Sequence, residues 1–234
     1  MTEDAVLAAA NVVPIATLIA DAARSAMLWA LSDGRALPAG ELARIAGVAP
    51  ATASEHLAKL VAGGVISGER HGRHRYYRLA TPEVVAAMEA LAVAARPLPA
   101  RSAEEAYAGK LLRLARTCYD HLAGFVGVAV TESLVECGAL VLDGRAYVVT
   151  ASGVARFAEL GVDAREPRPA RRAFARACLD WSERRYHLAG TLGARLCERL
   201  IALEWLERQP GTRALRVTSV GRRALQRSFG VRVY

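Results

Sequence analysis

From Ile15 onward, Leu18, Ile19, Ala22, Ala26 and Leu28 recur at helical intervals until Ser32-Asp33-Gly34 supplies turn chemistry. The spacing predicts a single helix followed by a tight connection. Pro38-Ala39-Gly40 then leads into a short helix over 41–46, closed by Gly47, and after Val48-Ala49-Pro50 a third helix runs over 51–61. Ala53, Leu57 and Leu60 share one face of it, which leaves Thr52, Ser54, Glu55, His56 and Lys59 on the other. Residues 68–79 read as two short strands around a basic turn, and 82–95 returns to helical spacing. A short helix, a glycine turn, an amphipathic helix and a hairpin make up a winged helix-turn-helix.

The chemistry of these positions suits a nucleic-acid duplex. Short polar side chains on the third helix fit base edges and phosphates, while Arg70, Arg73, His74 and Arg75 gather positive charge at the hairpin tip, where phosphate and minor-groove contacts need it. His56 reads as a packing or phosphate-contacting residue. The series Ser54-x-His56-Leu57-x-x-Leu60-x-x-Gly63, followed by Arg70-x-Gly72-Arg73-x-x-Tyr76-Tyr77, resembles the ArsR/SmtB family of bacterial winged-helix repressors over about residues 10–95. The resemblance implies a homodimer joined by the first helix and the helix after the wing, bound to an inverted-repeat operator in double-stranded DNA. It does not bring the family's metal ligands with it. No cysteine precedes Cys118, so the cysteine pair carried by many members is absent, and 82–95 holds Glu83 and Glu89 but no histidine.

Net charge changes this picture only slightly. The formal charge is +8, yet residues 1–95 carry 8 Lys/Arg against 9 Asp/Glu and the excess lies in 96–234. The local pattern, not overall basicity, carries the DNA-binding reading. Glu3 and Asp4 near the start, with Asn11 and Pro14 interrupting the apolar run, fit neither a secretory signal nor a membrane span, so a cytoplasmic protein is expected. Four cysteines in such a chain point to packing thiols, metal ligands or redox-active thiolates rather than a disulfide framework.

Beyond Arg96-Pro97-Leu98-Pro99 two sets of residues recur. Arg116-x-Cys118-x-Asp120 with His121-Leu122-Ala123-Gly124 is echoed by Arg176-x-Cys178-x-Asp180 with His187-Leu188-Ala189-Gly190. Each copy continues toward a hairpin ending in Val-Thr-x-x-Gly. The expected fold is mainly α with short β-hairpins: a winged helix-turn-helix over 1–95, a linker over 96–109, and a C-terminal domain of two repeated helix–hairpin–helix lobes over 110–164 and 165–234.

The repeated residues are the candidate effector site: Cys118, Asp120, His121, Cys178, Asp180 and His187. On a helix Cys118 and His121 are neighbours suited to a thiophilic or transition metal ion, whereas Cys178 and His187 lie on opposite sides, so a complete site would combine Cys118, His121 and Cys178 from both lobes or both subunits. Two alternatives stay open. Arg116, Arg172 and Arg176 can lower a thiol's pKa and make it a redox sensor, and Tyr119, Trp181 and Tyr186 can line a pocket for an organic ligand or simply pack. Cys137 and Cys197 do not correspond between the copies and read as buried packing residues. Arg213, Arg216, Arg222, Arg223 and Arg227 read as a solvated basic face or a contact to flanking DNA. With no phosphate loop, nucleotide fingerprint or nucleophile elbow, the chain reads as an effector-responsive repressor rather than an enzyme or an effector-free architectural protein.

Overall fold

The computed structural model describes residues 12–72, 74–95, 99–100, 102–166 and 172–233. Among them, ten helices and eleven strands fall into two compact units, Met1–Val84 and Val85–Tyr234. No described helix is long and apolar enough to cross a membrane.

In the first unit, α1 (Val13–Ile19) and α2 (Ala22–Ala30) replace the single helix that apolar spacing predicts. Asp21 divides them. Its carboxylate accepts from the Arg24 backbone N at 2.9 Å as the N-cap of α2, and the Arg24 guanidinium turns back to donate to the Leu18 and Thr17 carbonyls at 2.7 and 2.8 Å. One ion pair thus starts a helix and satisfies the end of the one before it. α3 (Ala39–Ala46) closes on Gly47 in the left-handed region, and α4 (Pro50–Ala62) opens with proline in its first turn, where no backbone donor is lost. β2 (Ile66–His71) and β3 (His74–Leu79) form the wing, and β1 (Leu37–Pro38), which the sequence pattern did not indicate, adds to β3 to give the order β1-β3-β2. Met27, Leu28, Leu31, Leu42, Leu57 and Leu60 are buried in this winged helix-turn-helix.

α5 (Pro82–Ala94), all but its first three residues in the second unit, buries Val85, Met88 and Glu89. α6 (Ala103–Leu114) begins inside the stretch 96–109 expected to be a linker, with Ser102 accepting from the Glu105 backbone N as its cap. The larger departure concerns the repeated motifs, which form hairpins rather than helices: β4 (Arg116–Cys118) with β5 (His121–Ala123), and β8 (Arg176–Leu179) with β9 (Tyr186–Ala189). After the first hairpin come α7 (Gly124–Glu136), β6 (Leu140–Asp143), β7 (Ala146–Val149) and α8 (Ala151–Glu159). After the second come α9 (Gly190–Ala202), β10 (Leu206–Arg208), β11 (Leu215–Val217) and α10 (Ser219–Phe229). The order in both stretches is hairpin–helix–hairpin–helix, not the expected helix–hairpin–helix.

These stretches are not separate lobes either. β7 pairs with β8, giving the sheet β6-β7-β8-β9. Reciprocally, Arg116 of β4 bridges Ala214, with Thr117 N donating to Arg213 O and Leu215 N to Ala115 O, both at 2.9 Å. α7 packs on β9 and α9 on β5. One apolar core draws Leu122, Val126, Leu134 and Phe157 together with Leu188, Leu192, Leu196 and Leu225.

The glycine ending each His-Leu-Ala-Gly run has a steric reason. Gly124 and Gly190 turn the chain from strand into helix at φ +78° and +81°, and a Cβ would come within 2.7 Å of Arg113 O in the first case and 2.6 Å of Ala173 O and Phe174 O in the second. Gly124→Ala is expected to destabilise the fold by about 1–2 kcal/mol for the left-handed backbone, with a further cost from the overlap. Gly138→Ala, at φ +72° with nothing within 4 Å, carries only the first cost. Denaturant midpoints of the two variants measure the difference.

Candidate nucleic-acid interface and a buried cysteine–histidine cluster

α4 turns Ala53, Leu57 and Leu60 inward and leaves Thr52, Ser54, Glu55 and Lys59 exposed. The Ser54 hydroxyl donates to the Pro50 carbonyl at 2.9 Å and keeps its acceptor capacity. His56 is drawn in from the exposed set: its Nδ1 lies 3.5 Å from the Arg24 guanidinium and 3.7 Å from the Asp21 carboxylate, and it is half-buried. Arg70, His74 and Arg75 are exposed around the wing tip, where Arg70 pairs with Arg75 and His71 with His74 across the strands. The facing guanidinium groups of Arg70 and Arg75 repel, which makes an anionic partner favourable. Arg75 also lies 5.5 Å from the Tyr77 ring centre. Arg73 is outside the described residues.

In the second unit the hairpins bring four repeated side chains together. A two-residue connection, Tyr119-Asp120, makes Cys118 and His121 a cross-strand pair, and the longer connection between β8 and β9 does the same for Cys178 and His187. Helical geometry had set Cys178 and His187 apart. Strand pairing removes that objection. The potential ligand atoms of all four residues lie within 4.8 Å of one another, with the two Sγ atoms 4.0 Å apart and the imidazoles stacked at 5.1 Å between centres. All four residues are buried. His121 Nε2 and both ring nitrogens of His187 have no hydrogen-bond partner among the described residues.

The two aspartates of the repeat stand behind the histidines. Asp120 lies 3.3 Å from His121 Nδ1 and pairs with Arg172, while Asp180 lies 3.6 Å from His187 Nδ1. Asp180 is fully buried and accepts from Gly124 N at 2.7 Å, Arg116 Nη2 at 3.1 Å, Ser182 N and Oγ at 2.9 and 2.7 Å, and Glu183 N at 3.0 Å. Burial works against its ionised form, but Arg116, His187 and these donors hold it well below the usual carboxylate range. Asp120, also opposed by burial, is brought to about 2 by its bonds to His121 and Arg172. For His121, burial disfavours the charged form, yet Cys118 and Asp120 raise it to about 9. The Cys118 thiol, hydrogen-bonded to Cys178 and buried, is pushed up to about 12.

The burial of that thiol works against an arginine-lowered, redox-active Cys118. Arg116 is spent elsewhere. It is fully buried, pairs with Glu89 and Asp180 at 3.1 Å each, and lies 4.8 Å from the Trp181 ring centre. Glu89, on α5, also binds Arg213 at 3.0 Å, so Arg213 leaves the expected basic face for a buried ion pair. Cys137 is exposed rather than packed, whereas Cys197 is buried as expected. Sequence reasoning missed Glu89 and Arg213. The available signal was an acid four residues after Val85 on the apolar side of a helix.

The chain is 47% identical over 223 residues to the uncharacterized HTH-type transcriptional regulator YdfF of Bacillus subtilis (strain 168), a match covering 95% of this chain and 99% of that protein. The chain belongs to the HTH-type transcriptional regulators. A helix-turn-helix domain family matches residues 19–69 of the regulator. Two similar solved structures each cover about two fifths of the chain. The transcriptional repressor BigR from Xylella fastidiosa is 23% identical, covering 42% of this chain and 100% of that one, with a TM-score of 0.37. The homodimeric winged helix-turn-helix domain of Mb0332 from Mycobacterium bovis, a possible ArsR-family regulator, is 26% identical, covering 39% and 91%, with a TM-score of 0.33.

Glu89→Ala in this regulator is expected to cost about 3–5 kcal/mol of stability, because it leaves Arg116 buried beside one carboxylate instead of two. Urea denaturation against the wild type measures it.

Proposed function

We propose that this regulator is a repressor that binds an inverted-repeat operator as a homodimer and is released when an effector, a metal or metalloid ion, is taken up by the C-terminal unit. α4 enters the major groove with Thr52, Ser54, Glu55 and Lys59, His56 steadies it from behind, and Arg70, Arg73, His74 and Arg75 of the wing hold the backbone. The convergence of Cys118, His121, Cys178 and His187 within 4.8 Å supports the effector reading above all else. Soft and borderline ligands from distant parts of the chain, with the Nε2 of each imidazole buried and unpartnered, are what an ion-binding site requires. Asp120 and Asp180 stand behind the ligands rather than among them. The two hairpin–helix–hairpin–helix stretches read as a duplicated extension of the winged-helix unit, fused into one body to build this site.

A second reading, an organic effector, has one observation in its favour. A cavity of about 480 Å³ beside β9 is lined by Thr131, Val135, Leu142, Tyr147, Arg185 and Tyr186. The thiol redox reading is disfavoured by the burial of Cys118 and its raised pKa.

Binding to the DNA upstream of the regulator's own gene tests the first half of the proposal. Arg73→Ala with Arg75→Ala is expected to weaken binding and to lower the salt slope by about 2; an unchanged slope refutes the assigned wing. Cys118→Ser with Cys178→Ser tests the second half. The expected result is wild-type operator affinity without the metal and no release when zinc, cadmium or arsenite is added, and release equal to the wild type refutes the effector site.

A further inference from the structure

The cluster has enough chemistry to name the class of ion it takes, an inference that rests on the effector reading above and deepens it. We infer that Cys118, His121, Cys178 and His187 form a closed four-coordinate site for a zinc-class divalent ion, both histidines ligating through Nε2 and each backed at Nδ1 by an aspartate of its own hairpin.

Geometry comes first. A tetrahedral ion about 2.3 Å from sulfur and about 2.0 Å from nitrogen sets its ligand atoms about 3.3–3.8 Å apart. The two Sγ atoms stand at 4.0 Å and the whole set within 4.8 Å, so small side-chain adjustments complete the shell. The orphaned atoms point the same way. His121 is 2% exposed and His187 is 0% exposed, and the Nε2 of each is buried without a partner. Buried polar atoms almost always find one, and an ion between the rings would supply it.

The carboxylates settle which nitrogen ligates. Asp120 is hydrogen-bonded to His121 Nδ1 at 3.3 Å, the arrangement in which a carboxylate fixes the imidazole tautomer and raises its basicity toward a metal on the other nitrogen, and Asp180 stands on the same side of His187, 3.6 Å from its Nδ1. Asp180 is itself fixed by Arg116, Gly124 and Ser182. The pairing recurs in both hairpins although their connections differ in length, which a chance packing of cysteine and histidine would not produce.

Charge selects the ion. Two thiolates and two neutral imidazoles bring a divalent ion to net zero, and a buried site tolerates little else. A monovalent copper ion would leave one negative charge unbalanced. A trivalent metalloid would lack a third thiolate, since Cys137 is exposed and Cys197 is not in the cluster. Hard cations such as magnesium and calcium want oxygen ligands. With four protein ligands there is no open position for water, so the ion binds and shapes but does not catalyse.

Cobalt(II) chloride titrated into the reduced, metal-free full chain tests the inference. The expected result is one cobalt per chain, strong visible bands of a tetrahedral site, a near-ultraviolet thiolate-to-cobalt band, and loss of both on adding one equivalent of zinc. Cys178→Ser is expected to lower the thiolate band to roughly half, one thiolate of two, and Cys137→Ser to leave it unchanged. Should Cys178→Ser fail to fold, X-ray absorption on the zinc-loaded wild type still decides, with two sulfur and two nitrogen neighbours expected. A weak octahedral cobalt spectrum, a full thiolate band in folded Cys178→Ser, or arsenite or copper(I) retained against excess zinc overturns the inference. Operator affinity followed in the same zinc titration separates the two proposals: a tetrahedral site with unchanged affinity upholds the ion and overturns the effector reading.

Discussion

Asp180 is a carboxylate with no exposed surface, and such a group persists in a protein only when donors replace the water it has lost. Those donors come from three places: Arg116 on β4, Gly124 at the start of α7, and Ser182 and Glu183 in the turn after β8. Each has to be where it is for the charge to be tolerated. Arg116 needs more than one counter-charge, which Glu89 supplies from α5, and Glu89 in turn takes Arg213 from the start of β11's approach. Two acids and two arginines therefore balance at the centre of the second unit. Apolar packing around Leu122 and Leu188 supplies bulk stability, but it is indifferent to small rearrangements in a way that this network is not.

The winged helix was legible because each of its signals is local. Proline in the first turn of α4, Gly47 after α3, and the period of Ala53, Leu57 and Leu60 lie within a few residues of what they specify. Where the reading slipped in that unit, a local polar contact outweighed the period: Asp21 and Arg24 end α1 although Leu18, Ile19 and Ala22 continue its apolar stripe.

The second unit was legible in composition but not in shape. The recurrence of Arg-x-Cys-x-Asp and His-Leu-Ala-Gly picked out the residues that meet in space, yet their elements were misassigned. Three- and four-residue strands carry too few positions for a period of two to show. The turn at Tyr119 reaches φ +61° without the glycine or asparagine that normally marks such a bend. A spacing of three between Cys118 and His121 fits one face of a helix as well as it fits a two-residue hairpin. Only the second arrangement lets His187 join Cys178, because pairing across strands is blind to the number of residues in the connection.

The exchange of strands between the two stretches of the second unit bears on how the chain folds. β4 acquires its neighbour on one side from β5, close in sequence, but on the other from the segment around Ala214, and β8 likewise depends on β7. Contacts that span so much sequence close slowly, because loop entropy is lost before they form. During synthesis Cys118 and His121 emerge far ahead of Cys178 and His187, with a polar network still short of Arg213. The four-residue cluster therefore comes into being only when nearly all of the chain has been made, and half of it is not half a site.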